Sequence, residues 1–72
     1  SNSLHQGLWI HIFEIGDQYT FKVAATEAAN LSLELDGLKV AEASNALELT
    51  YNYTATKAGN SKLTAKAVKG TT

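Results

Sequence analysis

The sequence predicts an all-β protein, an antiparallel β-sandwich of about six to seven strands. Apolar and polar residues alternate with a period of two over most of the chain, turn signals separate these stretches at short intervals, and no segment has a long helical pattern. A β-barrel remains the competing architecture, because the same alternation is compatible with both.

The first strand is predicted at residues 7–15, GLWIHIFEI, which are rich in β-forming residues. Both of its faces are apolar, so the inward set is ambiguous and part of the strand could pair with something outside the chain. Residues 1–6 lack periodicity and are predicted to be a flexible segment or tag remnant. Because the chain contains no Met, we expect residues 7–72 to be a single domain excised from a larger protein.

A second strand is predicted at residues 19–25, after the turn signal at Gly16-Asp17. Residues 24–29 have a helix-favouring composition, but the segment is too short for a stable helix and is predicted to be a loop or single turn. A third strand at residues 31–35 ends at Asp36-Gly37, the strongest two-residue hairpin signal in the chain. We expect a tight turn there with Gly37 at positive φ.

The rest of the chain is predicted to be arranged around a hairpin over residues 47–68. Leu47, Leu49, Tyr51 and Tyr53 alternate with polar residues, Gly59-Asn60 favours a reversal, and a second alternating strand follows. Residues 41–46 are small and polar and are predicted to be a connection. The inward side chains predicted from all strands are Phe21, Val23, Leu33, Leu35, Leu47, Leu49, Tyr51, Leu63 and Ala65.

Composition limits the possible partners. The formal net charge is -1, the six basic residues are all Lys and are dispersed, and no Cys is present. A chain without a basic patch or Arg is a poor match for nucleic acid, so we expect no nucleic-acid partner. The longest apolar run is too short to span a bilayer, so no membrane insertion of this segment is expected. The absence of Cys excludes a disulfide framework but leaves the redox compartment open.

Two segments carry a resemblance to a known family. Leu33 to Val40, LELDGLKV, and Thr54 to Ala67, TATKAGNSKLTAKA, resemble the hairpin and the later segment of bacterial immunoglobulin-like (Big-type) domains, and the likeness covers most of the chain. The sequence departs from that family at Ser61, where an aromatic residue is common. The resemblance implies an immunoglobulin-like sandwich in a secreted or cell-surface protein, extracellular or periplasmic, of the kind that degrades polysaccharides.

No residue pattern in the chain indicates catalysis. His5 and His11 are the only imidazoles, and neither a nucleophile motif nor a phosphate-binding loop is present. We therefore expect no enzyme activity, no catalytic or metal-binding residues and no cofactor. The resemblance favours a non-catalytic accessory module that acts as spacer and packing partner for neighbouring domains of the same polypeptide.

Two alternatives remain open. Trp9, with Phe13 and Tyr19, could form a stacking platform for a polysaccharide, although most tryptophans in small sandwiches are largely buried and we expect the same of Trp9. The chain could also be an adhesion domain that binds a protein through an unpaired strand edge, because the predicted first strand is apolar on both faces.

Overall fold

The computed structural model describes residues 2–70 and confirms the all-β, antiparallel prediction. Four strands form one sheet in this range, and it contains no helix. Their spatial order is β1-β4-β2-β3, and every pair is antiparallel. The strands are β1 (Asn2–Phe13), β2 (Gln18–Leu35), β3 (Leu38–Thr54) and β4 (Gly59–Gly70).

The predicted number of six to seven strands is not confirmed, because two predicted breaks lie inside strands. Residues 24–29, predicted as a loop or turn, belong to β2, and residues 41–46, predicted as a connection, belong to β3. The composition of both segments is poor in β-formers, but pairing with a neighbouring strand outweighs the weak local preference. The first strand also begins earlier than the predicted Gly7, since residues 2–6 pair with residues 66–70 of β4.

β2 and β3 are bent near their middle. Eighteen residues of β2 would extend about 59 Å at roughly 3.3 Å per residue, whereas the longest dimension of the molecule is 44 Å. The bend coincides with an irregularity in which residues 25–28 of β2 lie opposite Leu47 of β3, between the pairs Ala24–Glu48 and Ala29–Ala46. Such a bulge inserts unpaired residues, bends the strand and increases its twist.

The bend divides the β2–β3 hairpin into two halves with different neighbours. The half that contains residues 30–35 of β2 also pairs with residues 63–68 of β4. The half that contains residues 18–24 pairs only with β3. Aromatic side chains of this half instead contact rings of β1, which is not its neighbour in the sheet. The sheet therefore curls so that one half of the hairpin covers one end of β1.

The predicted hairpin over residues 47–68 is wrong, because β2 lies between β3 and β4 in the sheet. The connection at residues 55–58 crosses the end of the sheet instead of reversing directly. It meets the β1–β2 connection, where the Gly16 N–H donates to the Ala55 carbonyl (2.9 Å) and the Ala55 N–H donates to the Asp17 carbonyl (3.0 Å). Gly59, the first residue of β4, has positive φ (112°), a conformation that glycine adopts without strain.

The predicted turn at Asp36-Gly37 is confirmed. Leu35 pairs with Leu38 across it, and both central residues have positive φ, 51° at Asp36 and 85° at Gly37. Positive φ at both positions defines a type I′ turn, whose twist matches that of the flanking strands.

The core lies between the two halves of the curled sheet. Its buried hydrophobic members are Phe13, Ala29, Leu31, Leu33, Leu49, Ala55 and Leu63. Of the predicted inward residues, Leu33, Leu49 and Leu63 are buried, and Phe21, Val23, Leu35, Tyr51 and Ala65 are half-buried against them. Leu47 is the exception, with 57% of its surface exposed, because it lies opposite the bulged segment, where the alternation of β3 is interrupted and Ala46 packs inward instead.

Candidate protein-contact surface

The three residues predicted as a stacking platform lie on one face of the sheet but in different environments. Trp9 and Phe13 are on the inward face of β1, and Tyr19 is on β2. Phe13 is only 2% exposed and packs against the half-buried Tyr19, with ring centroids 4.8 Å apart. Trp9 forms no aromatic pair within residues 2–70. The structure thus brings Phe13 and Tyr19 together and leaves Trp9 apart.

Trp9 is more exposed than expected, with 36% of its surface accessible. It lies opposite the fully buried Leu63. The bent hairpin covers the far end of β1, where rings contact His11 and Phe13, and this cover ends before Trp9. The expectation of a largely buried Trp9 is therefore corrected to a half-covered ring at the margin of the core.

An aromatic cluster joins β1 to the first half of β2. His11 packs at 4.8 Å from Phe13, 5.0 Å from Tyr19 and 5.6 Å from Phe21, measured between ring centroids. Phe13 also meets Tyr53 of β3 at 5.1 Å. Most of these pairs are tilted or edge-to-face, the arrangement that aromatic rings favour. The alternation of the first strand predicts His11 on the same face as Trp9 and Phe13, and its contacts with β2 identify that face as the inward one.

The opposite face of β1 carries a row of exposed aliphatic side chains, which we call the β1 row. The exposed fractions range from 56% to 70%. Three of its members occupy successive outward positions, and Gln6 separates them from the fourth, Leu4. A group of neighbouring exposed aliphatic residues marks a contact surface more often than isolated exposed residues do. Its members are Leu4, Leu8, Ile10 and Ile12.

The β1 row is bordered by polar groups on β4. Lys62, Thr64 and Lys66 lie opposite Ile10, Leu8 and Gln6. The Lys66 ammonium is 2.7 Å from the Glu34 carboxylate, and both side chains are partly buried. Lys62 is exposed, whereas Thr64 is buried, so the accessible polar border on this side of the row consists of lysines, as in the polar rim of protein interfaces.

β1 and β3 form the two edges of the sheet and differ in their protection. β3 carries Lys39, Glu42 and Glu48, and Asn45 interrupts it with φ of 51°. Charges and irregular backbone are the usual devices that prevent an edge from pairing with another chain. β1 has no Asp, Glu, Lys or Arg over residues 2–13, and its pairing with β4 is regular throughout. β1 is therefore the open edge of this sheet.

The pKa is lowered for two carboxylates, Asp36 in the β2–β3 turn and Glu27 in an ion pair. The hydrogen bond from the Lys62 backbone N–H, together with the nearby Ser61 hydroxyl and lysine charges, lowers the pKa of Asp36. The hydrogen bond and charge of Lys69, whose ammonium is 2.9 Å from the carboxylate, lower the pKa of Glu27. Both carboxylates are solvent-exposed, Asp36 in the β2–β3 turn and Glu27 in the bulge of β2.

The concave features of the surface are shallow. The groove with the most aromatic lining measures about 300 Å³ and lies between the ends of β2 and β3, with the Thr20 hydroxyl hydrogen-bonded to the Asn52 side-chain oxygen at 2.9 Å. Its lining residues are Gln18, Tyr19, Thr20, Asn52, Tyr53 and Thr54. Within residues 2–70 no three His, Cys, Asp or Glu side chains come together as metal ligands, and this range holds no helix long and apolar enough to cross a membrane.

Comparison with known proteins finds no matching family model, no matching curated protein and no matching solved structure.

Proposed function

We propose that this chain is a non-catalytic accessory module that acts through protein contacts, as spacer and packing partner of neighbouring domains in a larger bacterial secreted or cell-surface protein. The observation that carries the proposal is the β1 row, a set of exposed aliphatic side chains beside an unprotected strand edge. A surface of this kind stabilises a protein when another polypeptide covers it.

The immunoglobulin-like part of the proposal is supported by the resemblance of the two segments Leu33 to Val40 and Thr54 to Ala67 and by the all-antiparallel sheet that curls around one core. The shared bulge divides β2 and β3 each into two halves. If each half is counted as a strand, the sheet becomes a two-layer arrangement of more and shorter strands. The connection with carbohydrate processing is supported by the resemblance alone.

The contact function is tested with the double variant Leu8→Thr/Ile10→Thr, which replaces two members of the β1 row by a polar β-former. If the row is a contact surface, the dilute variant keeps its far-UV circular dichroism, and its free energy of unfolding changes by less than about 1 kcal/mol for two surface substitutions. The fluorescence of the apolar dye anilinonaphthalene sulfonate should be lower with the folded double variant than with the folded wild type.

The matched control is Leu33→Thr, a substitution of the same type at a fully buried position. It should destabilise by about 2 kcal/mol or more, because it removes buried apolar volume and buries a hydroxyl. Loss of stability in the β1 double variant equal to that of the control would show that the row belongs to the core, and the contact function would then be abandoned.

A carbohydrate-binding function is the second candidate, favoured by the partly open ring of Trp9. Sugar rings stack on exposed aromatic faces, and the only Trp of the chain makes its fluorescence a direct reporter. Titration with starch-type and other glycans should give saturable changes below about 1 mM if Trp9 binds sugar, a concentration that corresponds to about -4 kcal/mol. A flat titration leaves the contact function as the better account.

A further inference from the structure

We propose that two copies of this chain pair through their β1 strands, antiparallel and two-fold symmetric about Leu8, so that two four-stranded sheets join into one. This inference rests on the proposed contact function, because it names a second copy as the partner of the same surface. Closed two-fold dimers are the commonest assemblies of identical chains, and a strand edge is self-complementary when it pairs antiparallel with itself.

The first support is the backbone of β1. As an end strand it has one side paired with β4 and one side without a partner strand among residues 2–70. The twelve paired residues run without a bulge, so the free side offers an uninterrupted series of N–H and C=O groups. A second β1 has no charged side chain in residues 2–13 that would oppose this approach.

The second support is the side-chain register. Pairing about Leu8 places Leu8 opposite Leu8 of the second copy and Leu4 opposite Ile12, so both β1 rows lie on the same side of the joined sheet. A shift of the symmetry axis by one residue in either direction gives fewer apolar pairs, because it places Leu4 opposite Glu14 or Ile12 opposite Asn2. An axis at Ile10 gives the same number of apolar pairs but pairs only residues 7–13 of the two β1 strands, whereas the axis at Leu8 pairs residues 3–13. The register about Leu8 therefore combines these apolar pairs with the longer ladder.

The opposite face fits the same register. Trp9 of one copy would lie opposite Gly7 of the other. A Cβ added at Gly7 would meet no atom within 4 Å, so the space beside this glycine is open. An aromatic ring that lies across from a strand glycine covers the exposed backbone of that glycine, an arrangement known to stabilise sheets. The partly exposed surface of Trp9 would thereby become covered.

The third support is the surface area. A compact chain of 7.7 kDa is expected to expose about 4300 Å², and this chain exposes 4809 Å². The excess of about 500 Å² is close to the roughly 600 Å² that each partner contributes to the smallest specific interfaces. We therefore expect a weak dimer, with a dissociation constant on the order of 100 µM.

Sedimentation equilibrium tests the dimer directly, over chain concentrations from about 10 µM to about 2 mM, which bracket the expected dissociation constant. The average mass should rise from the single-chain value of 7.7 kDa towards twice that value. Leu8→Lys should weaken association at least about 100-fold, because two ammonium groups would face each other at the symmetry axis. An equimolar mixture of Leu8→Lys and Leu8→Glu should restore association.

Single cysteines test the register, because the chain has no Cys of its own. Under mild oxidation Leu8→Cys should form an intermolecular disulfide, since residues at the axis face each other within reach of a bridge. Ile12→Cys should not, because antiparallel pairing separates the two copies of residue 12. Leu38→Cys, more exposed than Leu8 but on the other edge, controls for random collision.

Disulfides at residues 8 and 12 alike would contradict the antiparallel register. A constant single-chain mass up to 2 mM, with the wild-type fold intact, would overturn the second copy as partner. That result would leave the contact function standing, because the function fails only when substitutions in the β1 row unfold the single chain.

Discussion

Asp36 and Lys62 are joined by two hydrogen bonds of opposite direction. The Asp36 N–H donates to the Lys62 carbonyl at 2.8 Å, and the Lys62 N–H donates to the Asp36 carboxylate at 2.9 Å. The ladder between β2 and β4 ends at the pair Leu35–Leu63, so this residue pair extends the contact by one step into the turn. A single side chain thus anchors the β2–β3 turn to the neighbouring strand β4.

This anchor predicts a pH-dependent stability. The pKa of Asp36 is lowered in the folded chain, chiefly by the Lys62 N–H, so the carboxylate binds a proton less readily than in the unfolded chain. Its contribution is therefore present above the unfolded pKa of about 4 and is lost as the pH falls through the lower folded pKa. Asp36→Asn keeps a hydrogen-bond acceptor and tolerates positive φ. The thermal unfolding midpoint of this variant should decrease less than that of the wild type as the pH is lowered.

The experiment compares thermal unfolding from about pH 6 to about pH 2, the range in which carboxylates titrate. Asp17→Asn is the control, because the side chain of Asp17 forms no hydrogen bond to any residue that the structure describes. Superimposable pH profiles for the wild type and Asp36→Asn would show that the carboxylate charge does not contribute.

The turn itself predicts a difference between two glycines. Gly37 has φ of 85°, where a Cβ is strained, so Gly37→Ala should lower the free energy of unfolding by about 1 kcal/mol. Gly7→Ala is the control, because Gly7 is not among the positive-φ glycines and its added Cβ would meet nothing within 4 Å. Chemical denaturation of dilute samples measures both. Equal effects of the two substitutions would argue against the strained turn.

Adjacent residues of β1 should respond very differently to truncation, because they lie on opposite faces. Phe13 is buried in the aromatic cluster, so Phe13→Ala should cost about 3 to 5 kcal/mol and unfold much of the population of so small a domain. Ile12 is 70% exposed, so Ile12→Ala should cost less than about 1 kcal/mol in dilute solution. The denaturant concentrations at which the two variants are half unfolded test this difference. A costly Ile12→Ala would place the β1 row in the core.

Local signals in the sequence were sufficient for the strand class and for one turn. Asp36-Gly37 was predictable because two residues that tolerate positive φ stand between alternating strands. The burial of Leu33, Leu49 and Leu63 follows from the same alternation. These features depend on residues close together in the chain, whose physical preferences do not require knowledge of the partner strand.

Features that depend on distant pairing were missed. The exposure of Leu47 results from the bulge at residues 25–28, and its own neighbourhood in the sequence gives no sign of that interruption. The insertion of β2 between β3 and β4 is likewise a long-range choice that local turn signals do not determine. Both faces of β1 are apolar, so the sequence leaves its inward face open, and the contacts of His11 and Phe13 with β2 show which face is inward.

The claim that two copies of this chain pair through β1 is tested most directly by amide hydrogen exchange, measured by NMR at about 20 µM and at about 1 mM chain, either side of the expected dissociation constant. We expect alternate amides of β1, those on its free edge, to become more protected at the higher concentration, while the amides of β3 at the other edge are unchanged. Exchange rates of β1 that do not depend on concentration, or protection that increases along β3 instead, would contradict it.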